Sequence, residues 1–199
     1  MLDKLRGSLG EVLASSGRAA SKVLPYPTAW TLIGMLFAFL AFIFYGGGHQ
    51  FVGGLLVMFC GFFDVLDGAV ARATGKTSQR GAFLDSTLDR VSEVVIFLGI
   101  LVGGYGGSFL VLLALSFSLL VSYTRAKGDA LGVNLAGIGV GERSERLVVL
   151  IVTSLLGIVA LGVLLIAVLA LITFVQRTVT VSRALGRKET VADAAPPPQ

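Results

Sequence analysis

The sequence is poor in charged residues and contains a single cysteine and a single histidine. Of its 199 residues, 14% are charged and 55% are hydrophobic, a balance far more apolar than that of a soluble globular domain. The mean hydropathy of +0.87 indicates that a lipid bilayer is the natural solvent. Cys60 lies inside an apolar run, so a disulfide framework and a cysteine-based zinc site are both excluded within one chain. The composition therefore predicts one integral membrane domain.

Apolar segments of the length needed to cross a bilayer recur along the chain, since a transmembrane helix takes about 20 predominantly apolar residues. They stand at roughly 29–45, 51–72, 82–103, 108–124, 147–160 and 162–176. The last two divide an uncharged run between Arg146 and Arg177, and we place the break near Gly157 to Gly162. One long span there would leave the following arginines on the opposite side of the membrane. The sequence thus predicts an all-α protein with six transmembrane helices.

The distribution of positive charge predicts the orientation. With six spans and the N-terminus in the cytoplasm, all 16 lysines and arginines fall on or near the cytoplasmic side. The loops around 46–50 and 103–108 carry neither residue, as the positive-inside rule requires. We therefore expect a multi-pass protein of the cytoplasmic membrane. Its net charge of +4 is explained by topology and by contact with anionic lipids, and no nucleic acid partner is required.

The two ends of the chain differ from the middle. Residues 1–24 lack the continuous apolar core of a secretory signal, and their apolar residues recur at helical spacing. We expect an amphipathic juxtamembrane helix on the membrane surface, with a frayed N-terminus as the alternative. The residues that carry this pattern are Leu2, Leu5, Leu9, Val12 and Leu13, with Lys4, Arg6, Arg18 and Lys22 as headgroup contacts. Residues 25–178 form the predicted six-helix domain, and 179–199 a flexible cytoplasmic tail.

Four aspartates lie where charge is costly, across the end of the second predicted span and the start of the third. Asp64 and Asp67 are three residues apart and Asp85 and Asp89 are four apart, so each pair shares one helical face. The turn-type residues between the pairs predict an antiparallel helix hairpin that brings both pairs to matching depths. Four facing carboxylates repel one another unless they are partly protonated or share cations. The alternative is a set of helix-terminal charges at the membrane surface.

The residue types near these aspartates indicate which ligands they bind. An all-oxygen ligand set favours Mg²⁺ or Mn²⁺, and two such ions form a clamp for phosphoryl chemistry. Gly68, Ala71 and Gly81 are small residues that let a ligand or a neighbouring helix approach the backbone. Arg72 and Lys76 put positive charge at the mouth of the expected cavity, where a diphosphate would bind. The sequence therefore predicts a two-metal site beside a phosphate-binding cavity.

These positions are similar to a known signature. The pattern reads Asp64-x2-Asp67-Gly68-x2-Ala71-Arg72-x8-Gly81-x3-Asp85-x3-Asp89 and resembles the full motif of the CDP-alcohol phosphotransferases. The resemblance implies six transmembrane helices, usually in a homodimer, around a cavity that opens to the cytoplasm. It also implies that the four aspartates hold two divalent ions against the CDP diphosphate and that Asp89 is the general base. The residues it assigns to CDP binding are Pro27, Thr31, Asp67, Gly68, Ala71, Arg72, Thr77 and Gly81.

Arginines at three other span ends indicate the second substrate. Arg125 ends the fourth span, Arg143 and Arg146 open the fifth, and Arg177 closes the sixth. Guanidinium binds phosphate bidentately, although flanking charge alone would also place arginine there. These segments resemble the branch of the family that uses inositol 1-phosphate as acceptor, and the resemblance implies that the four arginines bind its phosphate. Glu93, one turn beyond Asp89, would orient Arg90 or a basic ligand.

Several alternatives stay open at this point. The residues in and around the motif are more similar to those of archaeal members, which implies CDP-archaeol as donor, with CDP-diacylglycerol as the other choice. Glycerol 3-phosphate or serine could be the acceptor, and di-myo-inositol phosphate synthesis uses the same chemistry on a soluble donor. A cation transporter could also place aspartates within helices but would not need the glycine, alanine and arginine spacing. A noncatalytic membrane scaffold would not depend on Asp89.

Overall fold

The computed structural model of the chain is a bundle of helices. It describes residues 2–193, with side chains at residue 11 and from 13 to 187. Seven helices and no strand lie in this part of the chain, which confirms the predicted all-α class. The helices are α1 Leu2–Val23, α2 Pro27–Gly46, α3 Gln50–Ala73, α4 Gln79–Val102, α5 Ser108–Ala130, α6 Arg143–Leu155 and α7 Val159–Asp193.

Four of these helices, α2, α3, α5 and the Val159–Arg187 part of α7, are long and apolar enough to cross a membrane. The helix α4 has 24 residues, which is long enough for a span. It also carries five charged residues, which make it less apolar than the other four helices: Arg80, Asp85, Asp89, Arg90 and Glu93. The helix α6 has 13 residues, which is short for a span. Six helices thus correspond to the six predicted spans, and four of them have the length and composition of a span.

The boundary between α6 and α7 lies at residues 156–158. Gly157 has a φ of +76 there, a conformation that glycine adopts at little cost. The break therefore falls at the start of the predicted interval, and Gly162 is already inside α7. At its other end α7 continues to Asp193, beyond the boundary expected at residue 178. The backbone of 179–193 is helical, the flexibility of the tail stays a prediction, and residues 194–199 lie outside the described part.

The helix α2 packs along both α3 and α4, whereas α3 and α4 have few direct contacts. The predicted hairpin is therefore splayed, with α2 against both of its arms. Glycines permit this packing, since a Cβ on Gly99 of α4 would lie 2.6 Å from the Cα of Phe42 in α2. The sequence pattern placed the two aspartate pairs correctly in a hairpin but gave no sign that a third helix packs against both arms.

The core joins all six helices from α2 to α7, and it includes Ala38, Tyr45, Val57, Ile100 and Leu150. Tyr45 and Ser154 share a buried hydrogen bond of 2.6 Å between their hydroxyl oxygens. Large apolar side chains also cover the outer surface, as expected of a bundle whose solvent is lipid.

The helix α1 packs against α3. Gly17 is buried at this contact, where an added Cβ would lie 2.6 Å from the carbonyl oxygen of Ala69. The N-terminal segment is thus helical and docked on the bundle. The side chains of Leu2, Lys4, Leu5, Arg6, Leu9 and Val12, which carry the amphipathic prediction, lie outside the described side chains.

Candidate active site

Three of the four motif aspartates form one cluster. Carboxylate oxygens of Asp64 and Asp67 in α3 and of Asp85 in α4 all lie within 4.8 Å of one another. Asp67 is buried, and its Oδ2 accepts a hydrogen bond of 2.6 Å from the hydroxyl of Thr31. The helix α2 therefore orients a carboxylate of α3, and residues of both hairpin arms meet at one site as predicted.

Asp89 is connected to this cluster by Arg143, which forms ion pairs with both Asp64 and Asp89. The Nη1 atom of Arg143 lies 2.6 Å from Oδ2 of Asp64 and 2.9 Å from Oδ1 of Asp89. Arg90 lies 3.2 Å from the other oxygen of Asp89. The sequence analysis assigned Arg143 to the acceptor phosphate, whereas the structure places its guanidinium at the aspartates.

The donor set fits a hard divalent cation. Three carboxylates that approach one another this closely, one of them buried, repel unless they are partly protonated or a cation lies between them. Oxygen ligands without histidine or cysteine suit Mg²⁺ or Mn²⁺. The residues of this site could therefore hold such an ion, as the sequence predicts.

A cavity of about 390 Å³ opens beside the aspartate cluster, between α2, α3 and α4. All eight residues assigned to CDP binding line it, namely Pro27, Thr31, Asp67, Gly68, Ala71, Arg72, Thr77 and Gly81. The start of α4 faces this space, and Ser78 caps it by accepting a hydrogen bond of 3.0 Å from the backbone N–H of Gly81. A helix N-terminus with a nearby arginine favours phosphate groups.

Sequence reasoning missed some of the lining of this cavity, which also includes Thr28, Ser78, Ala82 and Leu84. Ser78 had a detectable signal, because serine immediately before an amphipathic segment is a helix cap. Lys76, expected at the mouth, does line the cavity. Its Nζ donates a hydrogen bond of 2.9 Å to the carbonyl of Pro25 and lies 4.7 Å from the ring centroid of Tyr26.

Two of the four predicted acceptor arginines converge on one carboxylate. Oε1 of Glu142 lies 2.8 Å from Nη2 of Arg177 and 3.8 Å from Nη1 of Arg125. Arg177 is buried and also donates to the carbonyl oxygens of Ile138 and Val121, at 2.8 and 3.0 Å. Arg125 is 46% exposed. The sequence did not predict Glu142 as a partner of these arginines, because a glutamate at the end of a transmembrane span is usually exposed to solvent.

Arg146 lies apart from this pair. It is 2% exposed, and its Nε and Nη2 donate to Oε1 of Glu93 at 3.2 and 2.8 Å. Its Nη1 donates to the carbonyl of Gly141 at 2.7 Å. Glu93 thus orients a basic residue, as expected, and that residue is Arg146 rather than Arg90. The four arginines thus pair with three different sets of carboxylates, which are Glu142, Glu93 and the motif aspartates.

Residues 24–137 match the sequence profile of the CDP-alcohol phosphatidyltransferases. The archaetidylinositol phosphate synthase of Pyrococcus horikoshii is 39% identical over 177 residues, which cover 89% of this chain and 94% of that protein. The chain belongs to the CDP-alcohol phosphatidyltransferase family. It is a membrane transferase of phospholipid biosynthesis, as the motif predicts, and family membership favours this reading over the cation transporter and the scaffold.

Solved structures of CDP-alcohol phosphatidyltransferases share the fold. The phosphatidylinositol phosphate synthase of Mycobacterium tuberculosis with CDP-DAG bound aligns with a TM-score of 0.76 at 30% identity, covering 86% of this chain and 94% of that chain. The same enzyme in complex with manganese and citrate aligns with a TM-score of 0.75 at 31% identity, covering 85% and 88%. The predicted family is therefore confirmed, and the all-α fold matches that of these solved structures.

Proposed function

We propose that this enzyme transfers the phospholipid moiety of a CDP-linked lipid to the hydroxyl group of inositol 1-phosphate and releases CMP. The observation that carries the proposal is a cavity that is lined by all eight residues assigned to CDP and bounded by the aspartate cluster. Relatives named archaetidylinositol phosphate synthase and phosphatidylinositol phosphate synthase match most of the chain. Synthesis of archaetidylinositol phosphate from CDP-archaeol is our first choice of reaction, and CDP-diacylglycerol is the alternative donor.

The donor's CDP group would lie in the cavity between α2, α3 and α4. The start of α4, Arg72 and Lys76 provide positive potential for the diphosphate. Gly68 and Gly81 keep the walls of the cavity free of side chains, so the nucleotide can approach the backbone. The lipid chains would extend along the apolar outer surface of the bundle.

Asp64, Asp67, Asp85 and Asp89 would hold two Mg²⁺ or Mn²⁺ ions. When bound, the ions neutralise the diphosphate and stabilise the leaving CMP. Thr31 keeps the carboxylate of Asp67 turned toward the site through its hydrogen bond, and the buried position of Asp67 excludes water from one side.

Asp89 would act as the general base. Its carboxylate accepts the proton of the acceptor hydroxyl, and the acceptor oxygen then attacks the β-phosphorus in line with the departing CMP oxygen. Arg125 and Arg177 would hold the acceptor's own phosphate, because they converge on one anionic oxygen already. Arg146 would hold the backbone beside this pocket, since it donates a hydrogen bond to the carbonyl of Gly141, the residue before Glu142.

We further propose that all six helices α2 to α7 span the cytoplasmic membrane, with the active site facing the cytoplasm. The carboxylates of α4 lie in the aspartate cluster or pair with Arg143 and Arg146, and Arg80 lies in the first turn, at the end expected at the membrane surface. Most of the charge of α4 therefore does not need to face lipid, so the helix can be a span. The positive-inside distribution supports the orientation. A homodimer is the assembly that the family resemblance implies.

Release of CMP by the purified protein tests the proposal. Donors CDP-archaeol and CDP-diacylglycerol are each combined with Mg²⁺ or Mn²⁺ and with inositol 1-phosphate, glycerol 3-phosphate, serine or free inositol. We expect CMP with inositol 1-phosphate. Turnover with glycerol 3-phosphate or serine alone would assign the enzyme to another acceptor class of the family.

A further inference from the structure

Two adjacent residues place opposite charges at two different sites. Glu142 caps the N-terminus of α6 and Arg143 is its first residue. Glu142 lies against the arginine pair, 2.8 Å from Arg177 and 3.8 Å from Arg125. Arg143 lies against the aspartates, with one nitrogen within 2.9 Å of carboxylate oxygens of both Asp64 and Asp89. One dipeptide therefore supplies an anion to two arginines and a cation to two aspartates.

The guanidinium of Arg143 is not fully hydrogen-bonded among the described residues. Its side chain is only 16% exposed, yet its Nε is buried without a hydrogen-bond partner among the described residues, and both of its ion pairs use Nη1. Arg146, one turn later on the same helix, instead uses Nε, Nη1 and Nη2. A buried donor without a partner is costly, so Arg143 is less firmly held at its position than Arg146.

Glu142 is also held loosely. Its side chain is 31% exposed, and the 3.8 Å that separate it from Arg125 exceed hydrogen-bond distance. Arg177 does not depend on Glu142 for its position, because it also binds the carbonyl oxygens of Ile138 and Val121. Departure of the glutamate would therefore leave one arginine in place and the other exposed, ready for another anion.

We propose that Glu142 and Arg143 are internal counter-ions that compete with the enzyme's ligands. Arg143 takes the place of a divalent cation between Asp64 and Asp89, and Glu142 takes the place of the acceptor's phosphate between Arg125 and Arg177. Each residue neutralises a cluster of like charge, and each must withdraw when a ligand of its own charge binds.

The acceptor half of this inference rests on the proposed function, whereas the cation half does not depend on which acceptor is used. Both halves can be tested without loss of the fold, because α6 keeps a separate anchor. Arg146 binds Glu93 in α4 and the carbonyl of Gly141, and neither contact involves Glu142 or Arg143.

The first experiment titrates Mn²⁺ into the purified full-length protein and measures free Mn²⁺ by electron paramagnetic resonance. We expect Arg143→Gln to bind Mn²⁺ about tenfold more tightly than the wild type, because a competing cation is removed. Arg80→Gln removes the same charge from the exposed first turn of α4 and should leave the affinity within about twofold. Equal or weaker binding by Arg143→Gln, or equal tightening in both variants, overturns the cation half.

The second experiment titrates inositol 1-phosphate in the presence of EDTA and measures binding by calorimetry. We expect Glu142→Gln to bind about tenfold more tightly than the wild type, and Glu145→Gln, at an exposed position in the first turn of α6, to bind like the wild type. If Glu142→Gln does not fold, Glu142→Asp shortens the reach of the carboxylate and should tighten binding in the same direction.

The outcomes separate this inference from the proposed function. If inositol 1-phosphate binds to the wild type and Glu142→Gln binds it equally or more weakly, the acceptor half is overturned and the proposed acceptor is unaffected. No binding of inositol 1-phosphate to either protein contradicts the proposed acceptor site and the acceptor half together. The Mn²⁺ titration then decides the cation half by itself.

Discussion

Thr31 donates a hydrogen bond of 2.6 Å to Asp67, and this contact joins α2 to the aspartate cluster of α3 and α4. Asp67 is the most buried of the four motif aspartates, with 4% of its surface exposed. A buried carboxylate needs a donor to hold its orientation. Because α2 packs against both α3 and α4, it is the element that can supply one.

Thr31→Val should weaken the site without removing a ligand. The substitution keeps the shape of the side chain but leaves Asp67 without this donor, at a cost of about 1–3 kcal/mol. We expect kcat/KM for CMP release to fall about tenfold or more and the affinity for Mn²⁺ to decrease. Thr180→Val, which removes an exposed hydroxyl that bonds only within α7, is the matched control. Activity equal to the wild type would show that Asp67 does not depend on Thr31.

Asp89→Asn should remove the general base while keeping the fold. General-base catalysis contributes about 10²–10⁴-fold, so we expect kcat to fall by that factor while the protein still binds the CDP-lipid. Turnover is measured as CMP release, and donor binding by displacement of a labelled CDP-lipid. Full activity of Asp89→Asn would rule out the general-base assignment.

Loss of one partner of the buried ion pair between Glu93 and Arg146 should destabilise the fold. Both side chains are almost fully buried, so removal of one partner leaves an uncompensated charge and costs about 3–5 kcal/mol. We expect Arg146→Met to lower the midpoint of thermal unfolding in detergent, and the double variant Glu93→Leu/Arg146→Met to recover part of the loss. A double variant less stable than Arg146→Met would show that charge burial is not the cause.

Gly99→Ala should loosen the contact of α2 with α4. The added Cβ would lie 2.6 Å from the Cα of Phe42, and overpacking of this kind costs about 1–3 kcal/mol. Gly186→Ala is the control, because a Cβ there meets no atom of the described residues within 4 Å and alanine favours the helix. We expect a lower unfolding midpoint for the first variant and no decrease for the second. Equal midpoints would contradict the close packing of the two helices.

The sequence was sufficient to predict that the aspartates form a cluster, and the family resemblance supplied the residues that line the cavity beside it. The cluster depends on short-range spacing within α3, α4 and the turn between them, since local periodicity fixes which side chains share a face. Thr31 was reached through the family resemblance, since its partner Asp67 is 36 residues away. The sequence alone contained no signal for that contact.

The partners of the arginines could not be predicted. Arg143, Arg146 and Arg177 all stand at span ends, where the positive-inside rule would place arginine in any case. Their pairing with three different sets of carboxylates follows from the position of α6 against α3 and from the loop before it, which Arg146 and Arg177 bind through carbonyl oxygens. Such contacts depend on tertiary packing, and no spacing in the sequence encodes them.

The end of the last helix was also beyond sequence reasoning. Apolar periodicity stops near Arg177, yet α7 continues to Asp193, because polar residues with good helix propensity extend a helix that is already formed. Composition therefore predicted the end of the membrane span rather than the end of the helix.

The central claim is that the acceptor carries a phosphate group, and one comparison tests it most directly. The purified enzyme is supplied with CDP-archaeol or CDP-diacylglycerol and Mn²⁺, and CMP is measured with inositol 1-phosphate and with free inositol at equal concentration. We predict CMP formation with inositol 1-phosphate only, together with a lipid product that retains the inositol phosphate. CMP formation with free inositol and none with inositol 1-phosphate would contradict the account.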